Sequence, residues 1–165
     1  MVEVNVAHLG VERTTNTPIV VLQEKGGTRV IPIYIGHAEA NAIAMELADV
    51  KFERPLTHDL LRQVIIGLGA ELSRVVITRV EKSTYYAELE LRRDDHVIQI
   101  DARPSDSIAI ALRLKAPIFT SEDLLEVATG DQPMVRDVSS EPLDAEALKQ
   151  HLEKLDPEDF GKFTQ

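Results

Sequence analysis

The sequence has no cysteine, which removes disulfides, zinc–thiolate centres and thiol nucleophiles from consideration and is compatible with a reducing compartment. Aromatic residues make up only 4% of the chain. That is thin for a surface that grips bases by stacking, so any hold on single strands is expected to be weak and salt-sensitive. No apolar run approaches the length of a membrane span, and the N-terminus lacks the basic-then-apolar form of a secretory signal. The expectation is a cytoplasmic protein with no membrane association. A basic excess is missing as well: the formal charge is −10, the opposite of what nonspecific coating of nucleic acid requires. The charge is unevenly spread, however. Residues 1–120 carry 14 Lys/Arg against 16 Asp/Glu, a net of −2, whereas residues 121–165 carry 4 against 12, a net of −8. The acidity belongs to the tail, and a near-neutral body can still meet a phosphate backbone that the tail would repel or mimic.

What is present suits one compact domain. The chain has 165 residues, of which 44% are hydrophobic and 28% charged, enough for a single core plus a tail and too apolar for general disorder. Val2 to Leu9 alternates in the period of a half-buried strand, Pro18 to Glu24 reads as a second strand, and the turn Lys25-Gly26-Gly27-Thr28 returns it as a third, Arg29 to Ile35. His37 to Val50 then carries apolar residues at helical spacing. After Pro55, Thr57 is positioned to cap a second helix that runs to Gly69. Ser73 to Val80, Tyr85 to Leu91 and Val97 to Ile100 form a second run of three strands, the last reading as short and buried, and a helix follows from Pro104. Ser121 heads a brief helix through Val127. Residues 128–142 have the composition of a linker, and residues 143–165 that of an acidic tail with an amphipathic helix marked by Leu143, Ala147, Leu148, His151, Leu152 and Leu155. The fold expected is α+β: a duplicated β-β-β-α unit with a connecting helix in residues 1–127, then linker and helical tail.

The duplication rests on register. At an offset of 67, Val30-Ile31-Pro32-Ile33 falls on Val97-Ile98-Gln99-Ile100, Glu39 on Asp106, and Ala42-Ile43-Ala44-Met45 on Ala109-Ile110-Ala111-Leu112. An acid opening a helix that follows an I-x-I strand thus occurs twice, with its apolar face in step. The second copy is the richer in chemistry, because Asp101, Arg103, Ser105 and Asp106 crowd a strand-to-helix junction, where α/β architectures commonly place ligands.

Three motifs in order, Ile31-Pro32-Ile33-Tyr34-Ile35-Gly36 with Glu39-Ala40, Arg54-Pro55-Leu56-Thr57-His58-Asp59-Leu60-Leu61, and Arg103-Pro104-Ser105-Asp106 with Ala116-Pro117-Ile118-Phe119, strongly resemble the bifunctional nuclease family. The likeness covers roughly residues 1–127. It implies an α+β domain, self-association into a homo-oligomer and hydrolysis of both RNA and DNA. It carries no catalytic residue set.

Candidates therefore come from the chemistry. Phosphodiester hydrolysis needs an activated water, stabilised phosphoryl oxygens and help for the leaving oxygen. Glu39, Asp101 and Asp106 would hold a divalent cation, Mg²⁺ or Mn²⁺, if the two helix starts meet; otherwise the first and last are helix-start acids and Asp101 pairs with Arg103. His58 beside Asp59 would serve as general acid or base, or the pair is a capping cluster with Asp59 bound to Arg62. Arg54, Arg62, Arg103 and Ser105 are the candidates for substrate binding, with Tyr34, Tyr85 and Tyr86 as stacking rings. The competing reading is a non-catalytic binding module regulated by its acidic tail.

Overall fold

The structure, a computed structural model, describes residues 1–127 and 135–137. The elements in chain order are β1 Val2–Glu12, β2 Pro18–Glu24, β3 Arg29–Tyr34, α1 His37–Leu47, α2 Thr57–Gly67, β4 Glu71–Glu81, β5 Thr84–Arg93, β6 His96–Ala102, α3 Pro104–Leu114, β7 Ile118–Thr120, a 3-10 turn Glu122–Leu124, β8 Glu126–Val127 and β9 Val135–Asp137. This is the expected α+β order. The helix expected through Val127 is instead a single 3-10 turn followed by β8, which pairs with β3.

One sheet holds every described strand, in the order β6-β5-β4-β7-β1-β2-β3-β8, with β9 on β1. Each three-strand run is an antiparallel meander. The short β7 stitches them together, parallel to β4 and antiparallel to β1. β1 and β4 therefore run in opposite directions, as a twofold axis normal to the sheet would require. The helices His37–Leu47 and Pro104–Leu114 obey the offset of 67 at both ends, His37 to Pro104 and Leu47 to Leu114.

Helices α1 and α3 lie on one face of the sheet and pack on each other. Ile108, Ala109, Ile110 and Ala111 of α3 are buried with Ala40, Ala42 and Ile43 of α1, over Val75, Ile77, Ala87 and Leu22 of the strands. Alanines at the crossing let the two backbones approach closely. Helix α2 is held differently: it is amphipathic, yet Ile65 is its only buried residue, while Leu60, Val64, Ile66 and Leu68 stay 45–60% exposed. Gly69, at φ +72, stops it in the left-handed conformation that glycine adopts without steric cost. β6 is not the buried strand expected from its composition. It is the sheet edge, with Val97, Ile98 and Ile100 41–63% exposed, because no further strand pairs with its outer side among the described residues.

Of residues 128–142, expected as a linker, 135–137 form β9; the amphipathic helix expected within 143–165 lies outside the described residues. No helix among the described residues is long and apolar enough to cross a membrane.

Candidate active site

Two strand-to-helix junctions build the site. β3 leads through Ile35 into Gly36, the residue before α1, and Glu39 sits in that helix's first turn. β6 leads into Arg103, which holds the same position before α3, followed by Pro104 at the first helical position and Asp106 in the first turn. Neither helix is capped by a side chain, so the two acids answer the positive ends of the helix dipoles. Because α1 and α3 pack together, their first turns converge. They meet on a guanidinium: Arg103 Nη2 lies 2.7 Å from Glu39 Oε1, and Arg103 Nε donates to Asp106 Oδ2 at 2.7 Å. The other oxygen of Asp106 is 2.9 Å from His58 Nε2, brought in by the start of α2. Burial alone would raise the Asp106 pKa; hydrogen bonds from Arg103 and His58 outweigh it and hold the carboxyl below its ordinary value.

A second ion pair fixes α2 on α3. Arg113, whose side chain is only 4% exposed, donates from Nε to Asp59 Oδ1 at 2.7 Å and from Nη1 to the Ala109 carbonyl at 2.9 Å, with Glu46 Oε2 4.0 Å away. Asp59 Oδ2 also accepts the Leu56 N–H at 3.0 Å, closing the first turn of α2. Here too burial would raise the Asp59 pKa, and the hydrogen bonds from Arg113 and the Leu56 backbone pull it below the ordinary carboxylate value.

Arg103 stands between two clefts and lines both. One, of about 390 Å³, is bounded by Ile33 to Gly36, the β4–β5 turn at Ser83 to Tyr85, and Arg103 to Ser105. The other, of about 480 Å³ and mostly apolar, lies between α2 and β5–β6, with His58, Asp101 and Asp106 at one end and Leu61, Leu91 and Ile100 along it. Lys82 and Ser83, at φ +47 and +62, make the turn beside the first cleft. Both are side-chain-bearing residues held where glycine or asparagine is usual.

The structure thus brings Glu39, His58, Arg103 and Asp106 into one network. Asp101 is exposed and lines the second cleft without pairing with Arg103, and Glu39 and Asp106 spend their facing oxygens on that guanidinium. No group of three His, Asp or Glu residues arranged to hold a metal ion occurs among the described residues. Asp59 pairs with Arg113 and not with Arg62. Thr57 begins α2 but does not cap it, that position being Leu56. Ser105 is buried beneath the first cleft, and Tyr34 and Tyr85 line its walls. Tyr86 is taken up elsewhere, its ring under Arg79 at 4.0 Å. Arg54 and Arg62 are exposed on either side of the α2 start, outside the network. Arg113 and Glu46 were missed. The signal existed, since the offset of 67 that aligns Glu39 with Asp106 also aligns Glu46 with Arg113, and Arg113 lies seven residues after Asp106, on the same helix face.

Residues 20–133 match the family described as the bifunctional nuclease domain. An uncharacterized protein of Mycobacterium tuberculosis is 40% identical over 97% of this chain and 98% of its own length. Bifunctional nuclease 2 of Oryza sativa subsp. japonica is 33% identical over 65% of this chain and 34% of its own length. For Bifunctional nuclease 1 of Arabidopsis thaliana the figures are 29%, 65% and 34%, so the match spans about a third of each plant relative.

Proposed function

The chain belongs to the bifunctional nuclease domain family, and from that premise we propose that it hydrolyses phosphodiester bonds of RNA and DNA at the cluster around Arg103. One observation carries the reading: a guanidinium two-thirds exposed, steered by Glu39 and Asp106, at the border of two clefts and within one carboxylate of a histidine. Phosphoryl oxygens are held well by such a planar fork, and its two carboxylate partners fix its direction before substrate arrives.

The proton chemistry falls to His58. A carboxylate only accepts hydrogen bonds, so with Asp106 ionised the imidazole Nε2 carries the hydrogen and Nδ1 keeps its lone pair. Nδ1 takes a proton from the attacking water, Asp106 stabilises the imidazolium that results, and the leaving oxygen on the opposite side takes its proton from solvent. Arg103 neutralises charge on the phosphoryl oxygens meanwhile. Tyr34 and Tyr85 in the adjoining cleft offer faces for an unstacked base, which favours single strands. Were a divalent cation bound, Glu39, Asp106 and Asp101 would be the residues to hold it, and it would supply charge stabilisation for the phosphoryl oxygens and a more acidic water.

The test is cleavage of end-labelled single-stranded RNA and DNA by the full chain, with chelator, Mg²⁺ and Mn²⁺ arms, beside His58→Gln and Arg103→Lys. Both substrates are expected to be cut. Each substitution should lower kcat/KM by about 10²-fold or more, the usual weight of a general base or a fixed charge donor, with folding intact. Full cleavage by both variants, or activity that parts from the protein on a sizing column, would refute the assignment.

A further inference from the structure

We propose that the apolar groove between α2 and β6 is the docking site of the chain's own C-terminal segment, residues 143–155. The groove is floored by Leu89, Leu91 and Ile100 and walled by Leu61 and Ile65. Around it Leu60, Leu61 and Val64 of α2 and Ile98 and Ile100 of β6 are 39–53% exposed. A sheet edge and a helix flank this apolar require a cover.

Two observations select the occupant. The first is spacing: Leu143, Ala147, Leu148, Leu152 and Leu155 recur, with His151 among them, as one face of a helix. As a helix, those thirteen residues span about 20 Å, and the seven residues of β6 span about 23 Å.

The second is reach. β2 occupies one edge of β1, so β9, paired with Gly10 to Glu12, lies on the other, in the column that β7 fills further along. From that column β4, β5 and β6 follow in order, three strand spacings, or about 14 Å. Residues 138–142 extend to about 17 Å, so the segment starting at Leu143 arrives at β6. It arrives at the right end. Register through β7 and β4 sets β9 level with the start of β4 at Glu71, which faces Arg92 and then Val97 across β5 and β6. The groove runs from there toward Asp101 and His58.

Hydrogen exchange on the full chain tests the docking without reference to activity. Amides of 147–155 should exchange about tenfold or more slower than in a free peptide of that sequence, the protection that local docking confers. Leu148→Asp/Leu152→Asp should return them to the peptide rate and speed exchange in β6. Leu61→Asp, an exposed change on α2, should release the segment equally while the core strands stay protected. Peptide-rate exchange in the unmodified chain overturns the proposal. So does protection that fades on dilution together with a dimer seen by sedimentation, which would make a second copy the occupant.

Discussion

Replacing Asp59 by Asn should destabilise the protein more than replacing its partner, Arg113, by Met, although the arginine is the more buried of the two. Asn keeps the shape of Asp59 and can still accept the Leu56 N–H, so the closure of the first turn of α2 survives. What is lost is the charge facing Arg113, a guanidinium 4% exposed that would keep only the Ala109 carbonyl and a carboxylate 4.0 Å away. Removing one partner of a fully buried pair costs about 3–5 kcal/mol. Asp59 is a third exposed and Glu46 compensates in part, which brings the expectation to about 2–3 kcal/mol. For a chain of this size that lowers Tm by about 6 °C. Arg113→Met instead removes the buried cation with its demand for a partner, keeps an apolar stem among the helices, and leaves Asp59 in contact with water. About 1 kcal/mol is expected. Denaturant titration of the two variants and the double mutant measures the coupling.

The same experiment has a pH arm. The Asp59 carboxyl is held below its ordinary value in the folded chain, so its contribution is complete above the unfolded-state pKa of about 3.9 and disappears as pH falls through the folded value. The gap between wild type and Asp59→Asn should be constant near neutrality and close below about pH 4. An Asp59→Asn loss under about 1 kcal/mol, or an Arg113→Met loss that equals or exceeds it, refutes the reasoning.

Two further substitutions probe the site through the backbone. Gly36 has an ordinary φ of −77, but a Cβ there would collide with the Glu39 carboxylate; Gly36→Ala should swing Glu39 off Arg103 and lower nuclease kcat/KM about tenfold while changing stability by less than about 1 kcal/mol, and unaltered kcat/KM would show that Glu39 does not steer the arginine. The β4–β5 turn keeps Lys82 and Ser83 at positive φ, so Lys82→Asn/Ser83→Gly should raise stability by about 1–2 kcal/mol, and a denaturation midpoint that does not move would mean the turn carries no strain.

The meanders, the helices and the opposed acids were legible because each depends on a local period: alternation for strands, a 3.6-residue face for helices, and an acid at a first turn. The burial of β6 was not legible. Val97-Ile98-Gln99-Ile100 has the composition of a central strand, and edge or centre is decided by which strands pair, a property of topology. Asp59 was misassigned for a related reason. Local spacing offers it Arg62 at i+3, whereas the packing of α2 on α3 supplies a desolvated arginine 54 residues away. The cap of α2 failed more simply, because Leu56 has no side-chain acceptor of the kind a cap signature requires.

Glu39 and Asp106 occupy matching positions in the two halves, and a pair of like charges brought together must be separated or neutralised. Arg103 does the neutralising, and it does so from one half alone, since the matching position in the other half is Gly36. Any side chain at 36 would meet the Glu39 carboxylate that reaches across to Arg103. The two matched helix starts therefore supply two acids, and the difference between positions 36 and 103 supplies one shared cation with a fixed direction. His58 comes from α2, which joins the two halves. It adds the group that can move a proton to one side of that cation only. The hydrolysis proposed for this cluster needs such inequality, because the attacking and leaving oxygens of a phosphodiester ask for different things.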